Sequence, residues 1–172
     1  MDKNQKMIIL ILLIIFIVFF IGVIVLFLNK DKINKKGEFV VPEFEASSID
    51  GKPENVDETL TYQEIRVKED YIIYMCATPI EEDGKLTLYF TSSEKNIDLL
   101  KVRIFDVNNN LIGESGLLKP NSYVKNIILN RSLKENEGII VKVMSYEKDI
   151  YYSNGSFKLN VFVTKIGNET YL

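Results

Sequence analysis

Histidine and tryptophan are absent from this 172-residue sequence, and cysteine occurs only once, at Cys76. Without histidine no imidazole is available as the base of a nucleophilic site, and one cysteine cannot supply a structural zinc site. A single cysteine also excludes a disulfide within the chain. Because Cys76 lies in an alternating run, we expect it to be a core residue rather than a reactive thiol. These absences argue against an enzyme, a zinc protein and a disulfide-stabilised domain.

Charge of either sign is missing between Met7 and Leu28, although charged residues make up 26% of the chain. A helix of this length rises about 33 Å, which is enough to cross a hydrocarbon core of about 30 Å. The run exceeds the apolar part of a signal peptide, about 7–15 residues, and no small-residue cleavage site follows it. We therefore expect residues 7–28 to be an uncleaved transmembrane anchor in the lipid bilayer, preceded by a short cytoplasmic tail at residues 1–6.

The lysines on the two sides of this run give conflicting indications of its orientation. Four lysines follow the run between Lys30 and Lys36, whereas only Lys3 and Lys6 precede it. The positive-inside rule applied to this count favours a cytoplasmic carboxyl-terminal domain. A short basic tail before an apolar run is, however, the usual start of an exported protein. We expect an extracellular carboxyl-terminal domain in the cell membrane, and a cytoplasmic-facing, membrane-anchored adaptor is the alternative.

Residues 29–58 are rich in charge and contain only isolated apolar residues. Such a segment buries too little apolar surface to offset its ordering entropy, so it is predicted to be a flexible charged tether. Within it, the stretch EFVVPEF (residues 38–44) is the part that can extend and dock on the following domain. The net charge is −3, and no basic patch lies outside residues 30–36, so nucleic acid is not an expected partner.

From Leu60 onward, apolar and polar residues alternate in short runs that are separated by turn residues at intervals of about 8–12 positions. Residues 108–110 and 119–121 carry the Asn and Pro residues that tight turns favour. About seven strands and no soluble helix predict an all-β fold, a single immunoglobulin-like antiparallel β-sandwich over residues 59–172. The residues predicted to point inward include Leu86, Leu88, Phe90, Val143, Phe157, Leu159, Val161 and Val163.

Two acidic segments imitate functional motifs without completing them. The run from Asp106 to Asn110 begins like a calcium-binding loop, but Leu111 and Leu117 stand where that loop needs glycine and glutamate. Glu81–Asp83 precede Gly84 and are predicted to form a solvated turn. We therefore predict no catalytic residue, no cofactor and no metal site.

Aromatic residues are concentrated around the last predicted hairpin, where Tyr146, Tyr151, Tyr152 and Phe157 lie within twelve positions. Exposed tyrosines often anchor partners. Tyr151, Tyr152 and Asn154 are therefore the candidate partner-binding residues, and the alternative is that the tyrosines cap the open end of the sandwich. The expected function is a non-catalytic binding or assembly module at the cell surface, with an unidentified protein or cell-wall partner.

Three stretches of the predicted sandwich carry a resemblance: MCATPIEEDGKLTLYF, NLIGESGLLKPNSYVKNIIL and SNGSFKLNVFVTK. The chain resembles a group of uncharacterised membrane-anchored small β-sandwich proteins of low-GC Gram-positive bacteria. Pro79, Asp83–Gly84, Ser115–Gly116 and Leu118–Pro120 match the turn motifs of that group, and Asn121 stands where its members usually have glycine. The resemblance covers about 100 residues and consists of turn chemistry. It implies a fold and a surface location, and no functional residues.

Overall fold

The computed structural model describes residues 2, 5, 7, 12–21, 24, 40–67 and 71–164. The chain divides into two compact units, Met1–Val40 and Val41–Leu172. In the first unit, residues 12–21 form an α-helix with exposed side chains. The rings of Phe16 and Phe20, one turn apart on this helix, have centroids 5.5 Å from each other.

Among the described residues, no helix is both long enough and apolar enough to cross a membrane. The structure therefore does not show the transmembrane helix predicted over residues 7–28. Of that predicted span, residues 8–11, 22, 23 and 25–28 lie outside the described residues, as do residues 29–39 of the predicted tether.

The described part of the second unit contains ten strands and a short 3₁₀-helix at Glu58–Leu60. Period-two alternation suits strands because it places apolar side chains on one face of a sheet. The strands are β1 (Ile49–Asp50), β2 (Tyr62–Val67), β3 (Tyr71–Cys76), β4 (Ile80–Glu82), β5 (Lys85–Ser92), β6 (Leu99–Asp106), β7 (Leu111–Glu114), β8 (Ser122–Ile128), β9 (Gly138–Tyr146) and β10 (Ser153–Phe162).

In the described residues these strands form two sheets in which all the strand pairs are antiparallel. The first sheet has the order β1–β8–β5–β3–β2, and β4 pairs with β5 off this path. The second sheet has the order β10–β9–β6–β7. Apolar side chains from both sheets meet in a shared core. The predicted all-β antiparallel sandwich is therefore confirmed.

The structure has more strands than the seven or so that the sequence predicted. Residues 62–76 form a hairpin of two strands, β2 and β3. The short strands β1 and β4 were not predicted at all. Strands of two or three residues are too short to show an alternating pattern. They form because a neighbouring strand offers backbone hydrogen bonds, and their own sequence does not reveal this.

The residues predicted to face inward do build the core. On β5 and β9 the inward positions are fully buried. On β10 the inward side chains are half-buried against the same cluster, because β10 is the outer strand of its sheet. The fully buried residues are Leu86, Leu88, Phe90, Val143 and Val163, and the half-buried ones are Phe157, Leu159 and Val161.

Cys76 is fully buried, as predicted for a residue without a reactive thiol. It lies directly across from Tyr62 in the β2–β3 pair, on the side of β3 opposite to the core residue Met75. Burial raises the pKa of the Cys76 thiol to about 12. The thiol is therefore protonated at neutral pH and a poor nucleophile.

The predicted tether is too long at its carboxyl-terminal end, because residues 41–58 belong to the sandwich unit. β1 joins the edge of the first sheet, where Ile49 pairs with Tyr123 of β8. Beyond it, the Gly51 N–H donates to the Asn121 carbonyl over 2.7 Å. The composition argument failed here because it counted apolar burial and not the backbone hydrogen bonds that a sheet edge offers.

Candidate functional site

The β9–β10 hairpin places Tyr151 and Tyr152 next to each other at the end of the second sheet. The Tyr151 N–H donates to the Glu147 carbonyl (2.9 Å), and the Glu147 N–H donates to the Tyr152 carbonyl (3.0 Å). Tyr151 has a φ of +58°, a left-handed backbone conformation that is uncommon for residues other than glycine. The turn is thus closed by backbone hydrogen bonds, which fix the backbone positions of the two tyrosines.

Tyr151 packs on a small apolar cluster outside the main core. Leu99, Leu117 and Tyr146 form the buried part of this cluster, and Met144 and Tyr151 cover it half-buried. Part of Tyr151 therefore supports the fold, as the end-cap interpretation of the sequence predicted.

Phe44 adds a second aromatic ring at this end of the sandwich. The Leu117 N–H donates to the Glu43 carbonyl (2.8 Å), and the Glu45 N–H donates to the Leu117 carbonyl (2.9 Å), which holds residues 43–45 alongside Leu117. The centroids of the Phe44 and Tyr151 rings are 6.3 Å apart at an interplanar angle of 83°, an edge-to-face pair. The Lys119 ammonium lies 5.4 Å from the Phe44 ring centroid, within the range of a cation–π contact.

Glu45 fixes this segment through its side chain. The Gly116 N–H donates to Glu45 Oε2 over 2.7 Å, and the Ser47 N–H donates to Oε1 over 3.1 Å. Burial acts to raise the pKa of the Glu45 carboxyl, but the hydrogen bonds from Ser47 and Gly116 outweigh it, so the pKa is lowered. A Cβ added at Gly116 would lie 2.5 Å from the Glu45 nitrogen, so only glycine allows this close approach.

A cleft of about 480 Å³ opens beside the two aromatic rings. We call it the Tyr151 cleft. Its wall combines apolar and aromatic side chains with two ammonium groups and one carboxylate, a composition common in sites that hold a partner by contact. The residues that line it are Phe44, Leu99, Lys119, Pro120, Lys148, Asp149 and Tyr151.

The three candidate residues from the sequence do not form one site. Tyr151 lines the cleft, whereas Tyr152 is 58% exposed and is not part of the cleft lining. Asn154 points elsewhere, since its Nδ2 donates to Asp98 Oδ2 over 3.0 Å. The cleft residues that the sequence did not single out are Phe44, Leu99, Lys119, Pro120, Lys148 and Asp149. The only sequence signal for any of them was the apolar stretch ending at Phe44.

Asp98 explains the position of Asn154. Its Oδ2 also accepts hydrogen bonds from Ser145 Oγ (2.7 Å) and Tyr71 OH (3.0 Å). Desolvation acts to raise the pKa of Asp98, but the donors Ser145, Asn154 and Tyr71 outweigh it and the pKa is lowered. The carboxylate thus ties β3, β9 and β10 together, so Asn154 is a structural residue here.

The two acidic segments have structural roles in the described residues. Asp106 Oδ1 accepts hydrogen bonds from the N–H groups of Asn108 (2.9 Å) and Asn110 (2.8 Å), which closes the β6–β7 hairpin as predicted. Glu81 differs from its prediction as part of a solvated turn, because it is 4% exposed and accepts a hydrogen bond from the Gly84 N–H. No group of three or more His, Cys, Asp or Glu side chains in the described part of the chain could hold a metal ion.

Four half-buried tyrosines form a second aromatic group, on the outer face of the first sheet. Neighbouring ring centroids are 6.0 Å apart for Tyr62–Tyr74, 6.5 Å for Tyr62–Tyr89 and 6.4 Å for Tyr89–Tyr123. β1 and β2 lie at opposite edges of this sheet, so the chain between them must cross it. The Lys52 ammonium is 3.9 Å from the Tyr74 ring centroid, which places the crossing over these rings. We therefore assign this group to the fold and not to partner binding.

Neither the protein-family models nor the curated proteins contain a match to this chain. The resemblance to membrane-anchored sandwich proteins therefore stays a prediction.

Proposed function

We propose that this protein is a membrane-tethered binding module of the cell surface, and that it holds its partner in the Tyr151 cleft. The observation that carries the proposal is the edge-to-face pair of Phe44 and Tyr151 in the wall of a cleft with a charged rim. Rigid aromatic side chains bury a large contact area at a small entropic cost, which is why they are common anchors of partners.

The tethering part of the proposal is supported by the uncharged run from Met7 to Leu28, with the lipid bilayer as the partner of that segment. Two antiparallel sheets around one core support an immunoglobulin-like domain, an architecture common among cell-surface proteins. An anchored module meets partners at a raised effective concentration near the membrane, so a modest cleft is sufficient.

The chemistry of the cleft favours a partner that offers an apolar group flanked by negative charge. Lys119 and Lys148 give its rim two positive charges against the single negative charge of Asp149. Such a partner is a protein segment or a component of the cell wall. We propose no catalytic step, since the aromatic rings and ammonium groups that line the cleft are suited to binding a partner by contact.

Site-specific photocrosslinking in cells tests the cleft. A photoreactive amino acid at Lys148 should give a discrete adduct, whereas the same probe at Asn108, beyond the other end of β6, should give none. Charge reversal by Lys119→Glu should lower the adduct yield at position 148 several-fold, because Lys119 is the positive charge that the rim keeps when the probe replaces Lys148. Equal yields from both positions, or a yield that Lys119→Glu leaves unchanged, would show that the cleft is not the site.

The orientation of the domain decides between a surface module and the cytoplasmic-facing adaptor, which the four lysines at residues 30–36 favour. Asn108→Cys on intact cells should react with a membrane-impermeant thiol reagent. The parent protein is the matched control, since Cys76 is fully buried. Labelling that requires lysis of the cells would establish the adaptor instead.

A further inference from the structure

β10 is the outer strand of the second sheet and pairs with β9 on one side only. It is ten residues long, from Ser153 to Phe162, and contains no proline. Long outer strands present a row of backbone donors and acceptors to which another strand can add.

The backbone hydrogen bonds near the end of β10 show which of its residues face outward. Val163 bonds toward β9, since its N–H donates to Glu137 (3.0 Å) and its carbonyl accepts from Asn136 (2.8 Å). Thr164 bonds on the opposite side, where its N–H donates to the Pro79 carbonyl over 2.9 Å. Because these directions alternate along a strand, the even-numbered residues from Ser156 to Phe162 direct their N–H and C=O groups away from β9.

Within the described residues, the bridge between Ile80 and Thr164 is the only pairing on this outer side of β10. The side chains at this edge are also incompletely covered. Leu159 and its inward neighbours are half-buried against the core, and Phe162 is 67% exposed. A strand added here would satisfy backbone groups and cover apolar surface at once.

We propose that two copies of this chain associate by antiparallel pairing of their β10 edges, with the two-fold axis at Leu159. In this register Lys158 pairs with the partner's Asn160, and Ser156 pairs with the partner's Phe162. All four outward-facing residues of each copy then exchange backbone hydrogen bonds. An isologous interface of this kind is the commonest way in which identical chains associate.

The neighbouring registers are less favourable for reasons visible in the sheet. Lys158 already lies directly across from Lys142 of β9. A two-fold axis at Lys158 would therefore align four lysines across the joined sheets, and like charges in opposite positions are destabilising. An axis at Asn160 would need the backbone of Thr164, whose N–H and C=O groups already bond to Pro79 and Glu81. The register about Leu159 avoids both conflicts.

This proposal is independent of the Tyr151 cleft, and three single cysteine variants of the full-length chain test it. In the proposed register the two Leu159 positions form a non-hydrogen-bonded pair with Cα atoms about 4.5 Å apart, within disulfide range. Under a mild oxidant, Leu159→Cys should give a disulfide-linked dimer at least about five times faster than Lys158→Cys or Asn160→Cys, whose copies sit diagonally. The parent protein should stay monomeric on a non-reducing gel, because Cys76 is buried.

A second variant tests the backbone pairing itself. Asn160→Pro removes an N–H that faces outward and that β9 does not use, so it should abolish crosslinking through Leu159→Cys, whereas the matched Asn160→Ala should not. Fastest crosslinking at Lys158 or Asn160, equal rates at all three positions, or an adduct with a different polypeptide would each overturn the proposal. The cysteine series decides the matter even if the proline variant does not fold.

Discussion

At the residue scale, Tyr151 and Tyr152 are adjacent in the sequence but have different physical roles. Tyr151 is half-buried on the cluster of Leu99, Leu117 and Tyr146 and meets Phe44 edge to face. Tyr152 is 58% exposed. The prediction from the sequence assigned the same role to both tyrosines. It rested on the concentration of aromatic residues at a hairpin, which does not show which ring the turn directs inward.

This difference predicts unequal effects on stability. Tyr151→Ser should lower the free energy of unfolding by about 2 kcal/mol, because it removes the ring from an apolar cluster and breaks the pair with Phe44. Tyr152→Ser should stay within about 0.5 kcal/mol of the parent protein, as for most exposed substitutions. Urea denaturation followed by circular dichroism measures both values. Equal destabilisation by the two variants would contradict the assignment of Tyr151 as the supporting ring.

At the scale of elements, the segment from Glu43 to Asp50 joins the sandwich through backbone hydrogen bonds and one carboxylate. Glu45 receives hydrogen bonds from Gly116 and Ser47, and its pKa is lowered from 4.5. A carboxyl group whose pKa is lower in the folded state contributes stability above its unfolded pKa, and this contribution is lost as the pH falls through its folded pKa. Docking of the segment should therefore weaken in acid.

Glu45→Gln tests this electrostatic contribution. At pH 7 the variant should unfold at a lower temperature than the parent, by the equivalent of about 1 kcal/mol, because a neutral amide accepts the same hydrogen bonds less strongly. Near pH 3 the difference should be smaller, since the contribution of a carboxyl whose pKa is lowered on folding is lost as the pH falls below its ordinary value of 4.5. The matched control is Glu43→Gln, which changes an exposed side chain and leaves the carbonyl that binds Leu117 in place. A difference that is the same at both pH values would mean that the charge of Glu45 does not hold the segment.

The elements that were predicted well are those whose own residues carry the signal, either as alternation of apolar and polar side chains or as turn-forming residues. β5 and β9 alternate in burial over most of their length, and the turn at Asp106–Asn110 contains asparagine residues that favour tight turns. The apolar stretch of residues 38–44 indicated that Phe44 can dock on the domain, but its docking place beside Gly116 and the strand β1 could not be predicted, because they depend on residues far away in the sequence. For the same reason, Tyr151 was the only residue of the cleft lining that the sequence predicted as a partner-binding residue.

At the scale of the whole molecule, the sandwich unit begins before the first long strand. The Val41–Leu172 unit includes the backbone bonds of residues 43–45 and the β1–β8 pair. These contacts cover the edge of β8 and supply one wall of the Tyr151 cleft through Phe44. The candidate binding surface and the integrity of the first sheet therefore depend on the same segment.

Two fragments that differ only in residues 41–58 provide the corresponding test. A fragment of residues 41–172 should unfold cooperatively at a temperature at least about 5 °C above that of a fragment of residues 59–172, because the shorter one loses several hydrogen bonds, each of about 1 kcal/mol, and the Phe44 contact. The shorter fragment should also aggregate more readily, since the edge of β8 is then free.

Gly116→Ala in the longer fragment should reproduce part of this loss of thermal stability, because its Cβ would lie 2.5 Å from the Glu45 nitrogen. Gly138→Ala is the matched control, as the nearest atom to its Cβ is 3.5 Å away in the Phe162 ring. Equal melting temperatures for the two fragments would mean that residues 41–58 rest on the sandwich without stabilising it.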